Sequence, residues 1–362
     1  MRREVLEAQK SRLAAIAPFT PAPRPERREE WKLKLDANEN HFIDGGILRR
    51  ILAEALEEVD PRFYPVEEFQ LLREDISRWL GVGSDLIALG YGADQLVELL
   101  VQAFGVGYGV ASISPTSPSY ETRCRILGLK YSSTPLRGDG FELDVERLSE
   151  EARRSGLVFI CSPNNPTANQ FRRDDILAIV ENAAWVVVVD EAYADFGEYS
   201  MVGDVERYDN LIVLRTFSKF FGLAGLRVGY LIAPRDVIDA FVRVVPPFNV
   251  PSFSLAAARR ALRHLDHALK AVEELKAERS RLIQRLNTIS GVRAFPSQAN
   301  FIFLTAHLDS SIARRALSEY GVMARIIEGM PGLGTCFKIT VGRREANDSV
   351  VEAFSSLMGG GA

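Results

Sequence analysis

The stretch "VLRTFSKFFGLAGLRVGYLIA", residues 213–233, places a glycine-containing segment with Lys219 and Arg227 between two short apolar runs. The runs "LIVLRT" (211–216) and "VGYLIA" (228–233) have the length and composition of strands. A lysine among small hydroxyl residues at the end of a strand suits two tasks, binding a phosphate or forming a Schiff base. Read in isolation, Lys219 also fits an ordinary solvent-facing side chain.

Size and composition exclude several classes of function. The chain has 362 residues, 47% of them hydrophobic, which predicts about two domains. Its net charge of -4 argues against nucleic acid or an anionic membrane as the main partner. No secretory signal or bilayer-length apolar run is visible, so we expect a cytoplasmic protein. Three scattered cysteines predict neither disulfides nor a metal site.

Short apolar runs alternate with helical periodicity along most of the chain, which is typical of a sheet covered by helices. The other candidate strands of this sheet are "LIAL" (86–89), "VASIS" (110–114), "LVFIC" (157–161) and "WVVVVD" (185–190).

The pattern changes near residue 250. A long helix is predicted from about 255 to 289, followed by strands at 300–306, 322–327 and 337–342. We therefore expect an irregular N-terminal segment that packs on the smaller domain, a large α/β domain and a smaller α+β domain, over residues 1–40, 41–250 and 251–362.

Open α/β sheets place their chemistry beyond the carboxyl ends of the strands. Asp190, at the end of an apolar strand, would be costly to bury without a positive partner, either an arginine or a ligand. The other strand ends have ordinary interpretations as a helix start, a core aromatic or an Asx turn. Polar or glycine-rich turns follow four strands, as "GYGAD" (90–94), "PTSPSY" (115–120), "SPNNPT" (162–167) and "DEAY" (190–193).

One ligand would use all of these features. Pyridoxal phosphate needs a Schiff-base lysine, an acid against its pyridinium nitrogen, a stacking aromatic, donors to its ring oxygen and a phosphate cradle. The chain also resembles the fold-type I aminotransferases that use this cofactor, and more closely the histidinol-phosphate aminotransferase branch, which includes threonine-phosphate decarboxylase. The resemblance covers residues 18 to 349 and rests on "KLDANEN", "FYP", "GYGADQ", "PTSPSY", "SPNNPT", "VVVDEAYADF", "TFSKFFGLAGLRVGY", "NFIFL" and "FKITVGRREAND".

The resemblance implies the type I fold of PLP-dependent transferases, with a mostly parallel mixed sheet between helices and a smaller α+β domain. It implies that Lys219 binds the cofactor and moves the substrate proton, that Asp190 faces the pyridinium nitrogen, and that Tyr120 stacks on the ring. Asn165 and Tyr193 would bind the ring oxygen. The phosphate would be held by Gly92, Ala93, Asp94, Thr216, Ser218 and Arg227, and by Tyr64 of the neighbouring subunit in a homodimer with shared active sites.

The substrate positions depart from the family pattern. Asn38 falls in the segment that closes over the substrate, and Arg325 matches an arginine that binds the substrate phosphate. Lys338 stands where relatives carry an arginine, and Phe19 where they often carry a tyrosine. The guanidinium of arginine can form two parallel hydrogen bonds with a carboxylate, whereas the ammonium of lysine acts as a point charge. We therefore expect Lys338 to weaken carboxylate recognition or to favour another anion.

Three functions remain open at this point. The leading one is an aminotransferase that takes histidinol phosphate or a similar phosphorylated or aromatic amine as donor and a 2-oxo acid as acceptor. The second is a threonine-phosphate decarboxylase, which uses the same cofactor site. The third, a ligand-binding protein without catalysis, is opposed by the joint presence of Lys219, Asp190 and Arg227.

Overall fold

The computed structural model describes residues 33–327, 330 and 332–359, together with residues 7, 10, 13, 14 and 16. Phe19, predicted to touch the substrate, lies outside the described residues. Among the described helices, none combines the length and apolarity needed to cross a bilayer. The three cysteines are buried, as expected of small apolar side chains.

A seven-stranded mixed sheet forms the larger part of the structure, with strand order β2-β8-β7-β6-β5-β3-β4. Strand β8 is antiparallel to both of its neighbours, and the other pairs of adjacent strands are parallel. The carboxyl ends of all strands except β8 therefore meet at one edge. The strands are β2 (Ile87–Tyr91), β3 (Val110–Ser114), β4 (Tyr131–Pro135), β5 (Leu157–Cys161), β6 (Val186–Asp190), β7 (Leu211–Thr216) and β8 (Val228–Ile232).

Helices from the same part of the chain pack around this sheet. They begin with α1, whose N-cap Asp44 accepts hydrogen bonds from the backbone N–H groups of Gly46 and Ile47. The helices are α1 (Gly45–Glu58), α2 (Val66–Leu80), α3 (Gly92–Leu100), α4 (Pro118–Leu127), α5 (Val145–Ala152), α6 (Arg173–Asn182) and α7 (Arg235–Phe241).

The C-terminal part contains a four-stranded antiparallel sheet, ordered β12-β13-β10-β9, with its own helices. A two-stranded parallel pair joins β1 (Leu33–Lys34) to β11 (Val322–Met323), so the segment before residue 40 contacts this part. The remaining elements are α8 (Ser252–Arg263), α9 (Leu265–Leu286), β9 (Val292–Ala294), β10 (Phe301–Ala306), α10 (Ser310–Glu319), β12 (Arg325–Ile327), β13 (Thr335–Thr340) and α11 (Arg344–Gly359).

Six strands of the large sheet agree with their sequence predictions to within two residues at each end. The single long helix predicted from 255 to 289 is wrong, because His264 leaves the helical conformation and separates α8 from α9. Helix α8 packs against α1 and α2, whereas α9 packs against β9, β10 and α11. The domain boundary at residue 250 stays a prediction.

Two glycines allow α3 to start directly against strand β8. A Cβ at Gly229 would lie 2.6 Å from the carbonyl carbon of Gly92 and 2.7 Å from the backbone nitrogen of Ala93. Gly92 itself has a φ of +72°, and its Cβ would lie 2.4 Å from Nη2 of Arg227. A side chain at position 229 would push the helix start away from the sheet edge, and one at position 92 would displace the Arg227 guanidinium.

We predict that Gly229→Ala lowers the free energy of unfolding by about 1–3 kcal/mol, because the new methyl group meets backbone that cannot move freely. The matched control is Gly203→Ala, where a Cβ has no neighbour within 4 Å. Thermal unfolding of both variants checks the prediction. Equal midpoints for the two would contradict the close approach.

Candidate active site

Lys219 lies in the turn that follows β7, and its amine points back towards the N-terminal segment. Its Nζ donates a hydrogen bond to the carbonyl oxygen of Ala37 at 2.9 Å and lies 5.9 Å from the centre of the Tyr193 ring. Burial is the main reason why the pKa of Lys219 is lowered to about 8; the charges of Glu39 and Asp94 oppose this lowering, and those of Arg227 and Lys34 add to it. A larger fraction of this amine than of an ordinary lysine is therefore uncharged and nucleophilic near neutral pH.

Asp190 ends strand β6, beside the strand that leads to Lys219. Its Oδ2 accepts a hydrogen bond from the hydroxyl of Tyr120 at 2.6 Å, and its Oδ1 accepts one from the backbone N–H of Ala192 at 3.1 Å. Burial raises the pKa of Asp190, although these two hydrogen bonds oppose the rise. No lysine, arginine or histidine of the described chain forms an ion pair with Asp190. Of the two positive partners that the sequence predicted for it, an arginine or a ligand, the arginine is therefore not found among the described residues.

The prediction that Tyr120 stacks on a cofactor ring is wrong. Tyr120 has no exposed surface, and its ring is stacked on Phe159 with centroids 4.4 Å apart and planes 3° apart. Its hydroxyl holds the carboxyl of Asp190 instead. Tyr120 and Cys124 are four residues apart on α4 and both fully buried, a spacing that could have indicated a core-facing pair.

The two asparagines between prolines have different environments. The Asn164 amide donates to the carbonyl oxygen of Pro115 and to Oγ1 of Thr167, so it stabilises the turn. The side chain of Asn165 is half-buried and forms no hydrogen bond with any described residue. It is therefore free to bind a ligand from a rigid turn.

Tyr193 lies next to Lys219 and connects it to the N-terminal segment. Its hydroxyl accepts a hydrogen bond from Nδ2 of Asn38 at 2.9 Å, and its ring packs edge-on against Phe301. Burial raises the pKa of Tyr193, so the hydroxyl keeps its proton at neutral pH and can donate it in a hydrogen bond. The described geometry brings the predicted residues Asn38, Tyr193 and Lys219 together.

A set of donors converges where α3 begins. Oγ1 of Thr216 lies 3.0 Å from Oγ of Ser218, which is 3.5 Å from Nη1 of Arg227. Nη2 of Arg227 pairs with Oδ2 of Asp94 at 3.0 Å. The start of α3 presents backbone N–H groups without a side-chain cap, a setting that favours a phosphate. We call Gly92, Ala93, Asp94, Thr216, Ser218 and Arg227 the cradle.

Lys338 lies on strand β13, where it pairs in register with Arg325 of β12. It is only 8% exposed, and its Nζ lies 5.5 Å from the Phe301 ring centre. Burial lowers the pKa of Lys338 to about 7, with further lowering by the charges of Lys219 and Arg325. Among the described residues Lys338 has no ion-pair partner, so its amine can receive an anion.

Asn38 is held by the C-terminal strands as well as by Tyr193. Its backbone N–H donates to Oγ1 of Thr340, and its carbonyl oxygen accepts from Nδ2 of Asn300, each at 2.9 Å. Asn38 has a φ of +54°, a conformation that asparagine tolerates better than most residues. Asn300 was not predicted from the sequence, because a polar residue at the start of an apolar strand carries no distinctive pattern.

A buried ion cluster behind Tyr193 was also missed. Arg215, inside β7, forms an ion pair with Asp195, lies 3.9 Å from Oε2 of Glu191 and sits 5.5 Å from the Trp79 ring centre. Glu191 and Asp195 flank Tyr193 in sequence, so the cluster fixes the loop after β6 to the strand that leads to Lys219. An arginine within the apolar run "LIVLRT" and the acids of "DEAYAD" were the available signal.

Comparisons with known proteins bear on the family of this chain. A family model described as aminotransferase class I and II matches residues 30–354. A histidinol-phosphate aminotransferase of Thermococcus gammatolerans is 37% identical over 330 residues, covering 91% of this chain and 93% of the relative.

Solved structures show the same fold. The histidinol-phosphate aminotransferase of Sinorhizobium meliloti, crystallised in complex with pyridoxal-5'-phosphate, has a TM-score of 0.85 and 25% identity and covers 97% of both chains. An L-threonine-O-3-phosphate decarboxylase of Porphyromonas gingivalis has a TM-score of 0.78 and 23% identity, over 90% of this chain and 99% of its own.

We predict that Arg215→Met lowers the free energy of unfolding by about 3–5 kcal/mol, because it leaves Glu191 and Asp195 buried without a cation. The control is Arg235→Met, which breaks an exposed pair with Asp85 and should cost about 1 kcal/mol or less. Denaturant unfolding of both variants measures the difference. A loss as small for Arg215→Met as for the control would contradict the buried cluster.

Proposed function

The chain belongs to the aminotransferase class I and II family, and on that premise we propose that it transfers the amino group of histidinol phosphate to a 2-oxo acid, such as 2-oxoglutarate. The observation that carries the proposal is the placement of Lys219 and Asp190 at neighbouring strand ends. Asp190 is buried and Lys219 is half-buried, and neither forms an ion pair in the part of the chain that the structure describes. A ligand with an aldehyde, a ring nitrogen and a phosphate matches these two groups and the cradle.

The cofactor of this enzyme is pyridoxal phosphate. When bound, it supplies an electron sink that stabilises negative charge at the α-carbon of the substrate. The proposed role of Asp190 is to keep the ring nitrogen protonated. Asn165 and the protonated hydroxyl of Tyr193 are suited to donate to the ring oxygen. The N–H groups of Ala93 and Asp94, with Thr216, Ser218 and Arg227, are suited to hold the phosphate.

Lys219 is proposed to act in two ways. Its amine holds the cofactor covalently in the resting enzyme and, once released by the incoming amine, removes the proton from the substrate α-carbon. A pKa lowered to about 8 suits a general base near neutral pH, since the amine loses and regains a proton readily there. The Ala37 carbonyl, 2.9 Å from Nζ, gives the released ammonium an acceptor.

Lys338 and Arg325 are proposed to receive the anionic end of the substrate. They are register partners on β13 and β12, and the charge of Lys219 contributes to lowering the pKa of Lys338, so the two lysines lie near each other. A donor with a phosphate and an acceptor with a carboxylate both present an anion. The ammonium of a lysine is a point charge and lacks the planar pair of donors of a guanidinium, so it can bind either the phosphate or the carboxylate.

The half-reaction tests the proposed function. We expect histidinol phosphate, added without an acceptor, to abolish the visible absorbance of the lysine-bound cofactor, and 2-oxoglutarate to restore it with formation of glutamate. The Lys219→Ala protein should show neither change. Release of carbon dioxide from threonine phosphate, with no glutamate-forming half-reaction, would instead identify a decarboxylase and contradict the proposal.

The pH dependence of substrate binding tests Lys338. Its amine is charged below a pKa of about 7 and loses the charge as the pH rises, so the anionic substrate is bound less well at high pH. Between pH 6.5 and 8.5, the KM for histidinol phosphate should rise about tenfold more in the wild type than in Lys338→Arg, whose guanidinium stays charged. Because Lys219 titrates in both proteins, the ratio of the two KM values isolates Lys338. A ratio that stays constant with pH would exclude Lys338 from the substrate site.

We propose a homodimer in which Tyr64 contributes to the cradle of the neighbouring subunit. Tyr64 is 75% exposed and stacks on Phe248 with ring centroids 4.6 Å apart. Phe63 and Val66 beside it are also exposed. Exposed aromatic and aliphatic side chains clustered in this way are typical of a surface that another protein covers.

Tyr64→Asp should shift the protein from dimer to monomer in light scattering at micromolar concentration, because it places a charge in the apolar surface. The control is Trp185→Asp, which adds the same charge to another exposed aromatic pair, Trp185 with Tyr108, and should leave the mass unchanged. A monomeric wild type, or a dimer in both variants, would contradict the proposed interface.

A further inference from the structure

Asp94 is a carboxylate inside a site proposed to hold a phosphate, and its position calls for an explanation. It is the third residue of α3, and its side chain is 64% exposed beside an Arg227 side chain that is 30% exposed. Nη2 of Arg227 lies 3.0 Å from Oδ2 of Asp94. The guanidinium proposed to bind the cofactor phosphate is therefore already paired with an acid of the chain itself.

The Asp94 carboxylate is not used to cap its own helix. No backbone N–H group of α3 donates to it, and the N–H of Tyr91, just before the helix, donates to Oε1 of Gln95 at 2.8 Å. The other contact of Asp94 is a long one, from Oγ of Ser119 to Oδ1 at 3.5 Å. The pair with Arg227 is thus the main interaction of this side chain among the described residues.

Arg227 does not need Asp94 to stay in place. Its guanidinium packs against Gly92, and its Nη1 lies 3.3 Å from the carbonyl oxygen of Ala224, to which it donates. Two further features, the 3₁₀ turn Ala224–Leu226 and the φ of +55° at Arg227, fix the direction of the side chain. Removing the Asp94 charge would therefore leave the cation where it is.

We propose that the Asp94 carboxylate competes with the cofactor phosphate for Arg227, so that Asp94 weakens the binding of pyridoxal phosphate to the apoprotein. A phosphate bound to Arg227, Ser218 and the start of α3 lies beside the carboxylate, and like charges at such distances repel even at the effective dielectric constant of a protein surface. Asp94 then contributes its backbone N–H to the phosphate while its side chain opposes it. This inference rests on the proposed cradle.

The test compares two ligands that differ in the phosphate alone. Apoprotein is titrated with pyridoxal phosphate and with pyridoxal, and the Kd of each is obtained by equilibrium dialysis. For the neutral variants Asp94→Asn and Asp94→Ser we expect pyridoxal phosphate to bind about tenfold more tightly than to the wild type, with pyridoxal unchanged. Asp94→Glu, which keeps the charge, and Asp85→Asn, which breaks the exposed pair with Arg235, should both match the wild type.

The Arg227→Met variant distinguishes a failure of the proposed competition from a failure of the proposed cradle. Arg227→Met should weaken the binding of pyridoxal phosphate and leave the binding of pyridoxal unchanged. If the binding of both ligands is unchanged, the proposed cradle is wrong. If Arg227→Met weakens the phosphate ligand but the neutral Asp94 variants bind it no more tightly than the wild type, the competition is wrong and the cradle stands. Equal changes for both ligands would show an effect on folding and would also overturn the competition.

Discussion

The site depends on one constraint: a buried acid, Asp190, and a half-buried amine, Lys219, lie at adjacent strand ends, and neither has an ion-pair partner among the residues that the structure describes. Burial raises the pKa of Asp190 and lowers that of Lys219, so the protein disfavours the charged form of both groups. Such a pair is stable only if hydrogen bonds or a ligand compensate it. Tyr120 and the N–H of Ala192 compensate Asp190 in part, and in the proposed site the cofactor provides the remaining compensation.

Two features of the surrounding fold hold Asp190 and Lys219 in position. The ion cluster of Arg215, Glu191 and Asp195 fixes the loop that carries Tyr193 to β7, behind the site. On the other side, Gly229 and Gly92 let the start of α3 lie against β8. Both contacts act on the same sheet edge, so the residues proposed to bind the covalent end and the phosphate end of the cofactor are positioned by neighbouring strands.

The sequence predicted what depends on local pattern and missed what depends on packing. Fully apolar strands such as β5 and β6 were found, whereas β4 was not, because it is a partly exposed edge strand without a clear period. Asp190 ends β6, and Lys219 and Tyr193 follow strands, so the local pattern could indicate them as candidate site residues. The direction of Tyr120, the break at His264 and the partners of Arg215 depend on contacts between distant segments, which no local pattern encodes.

The central claim is that Lys219, and not the more deeply buried Lys338, binds pyridoxal phosphate covalently. Both lysines have a lowered pKa, so chemistry alone does not distinguish them. Borohydride reduction of the holoenzyme, followed by peptide mass spectrometry, tests the claim directly. The account predicts a phosphopyridoxyl group on Lys219 alone; a group on Lys338, or none on Lys219, would contradict it.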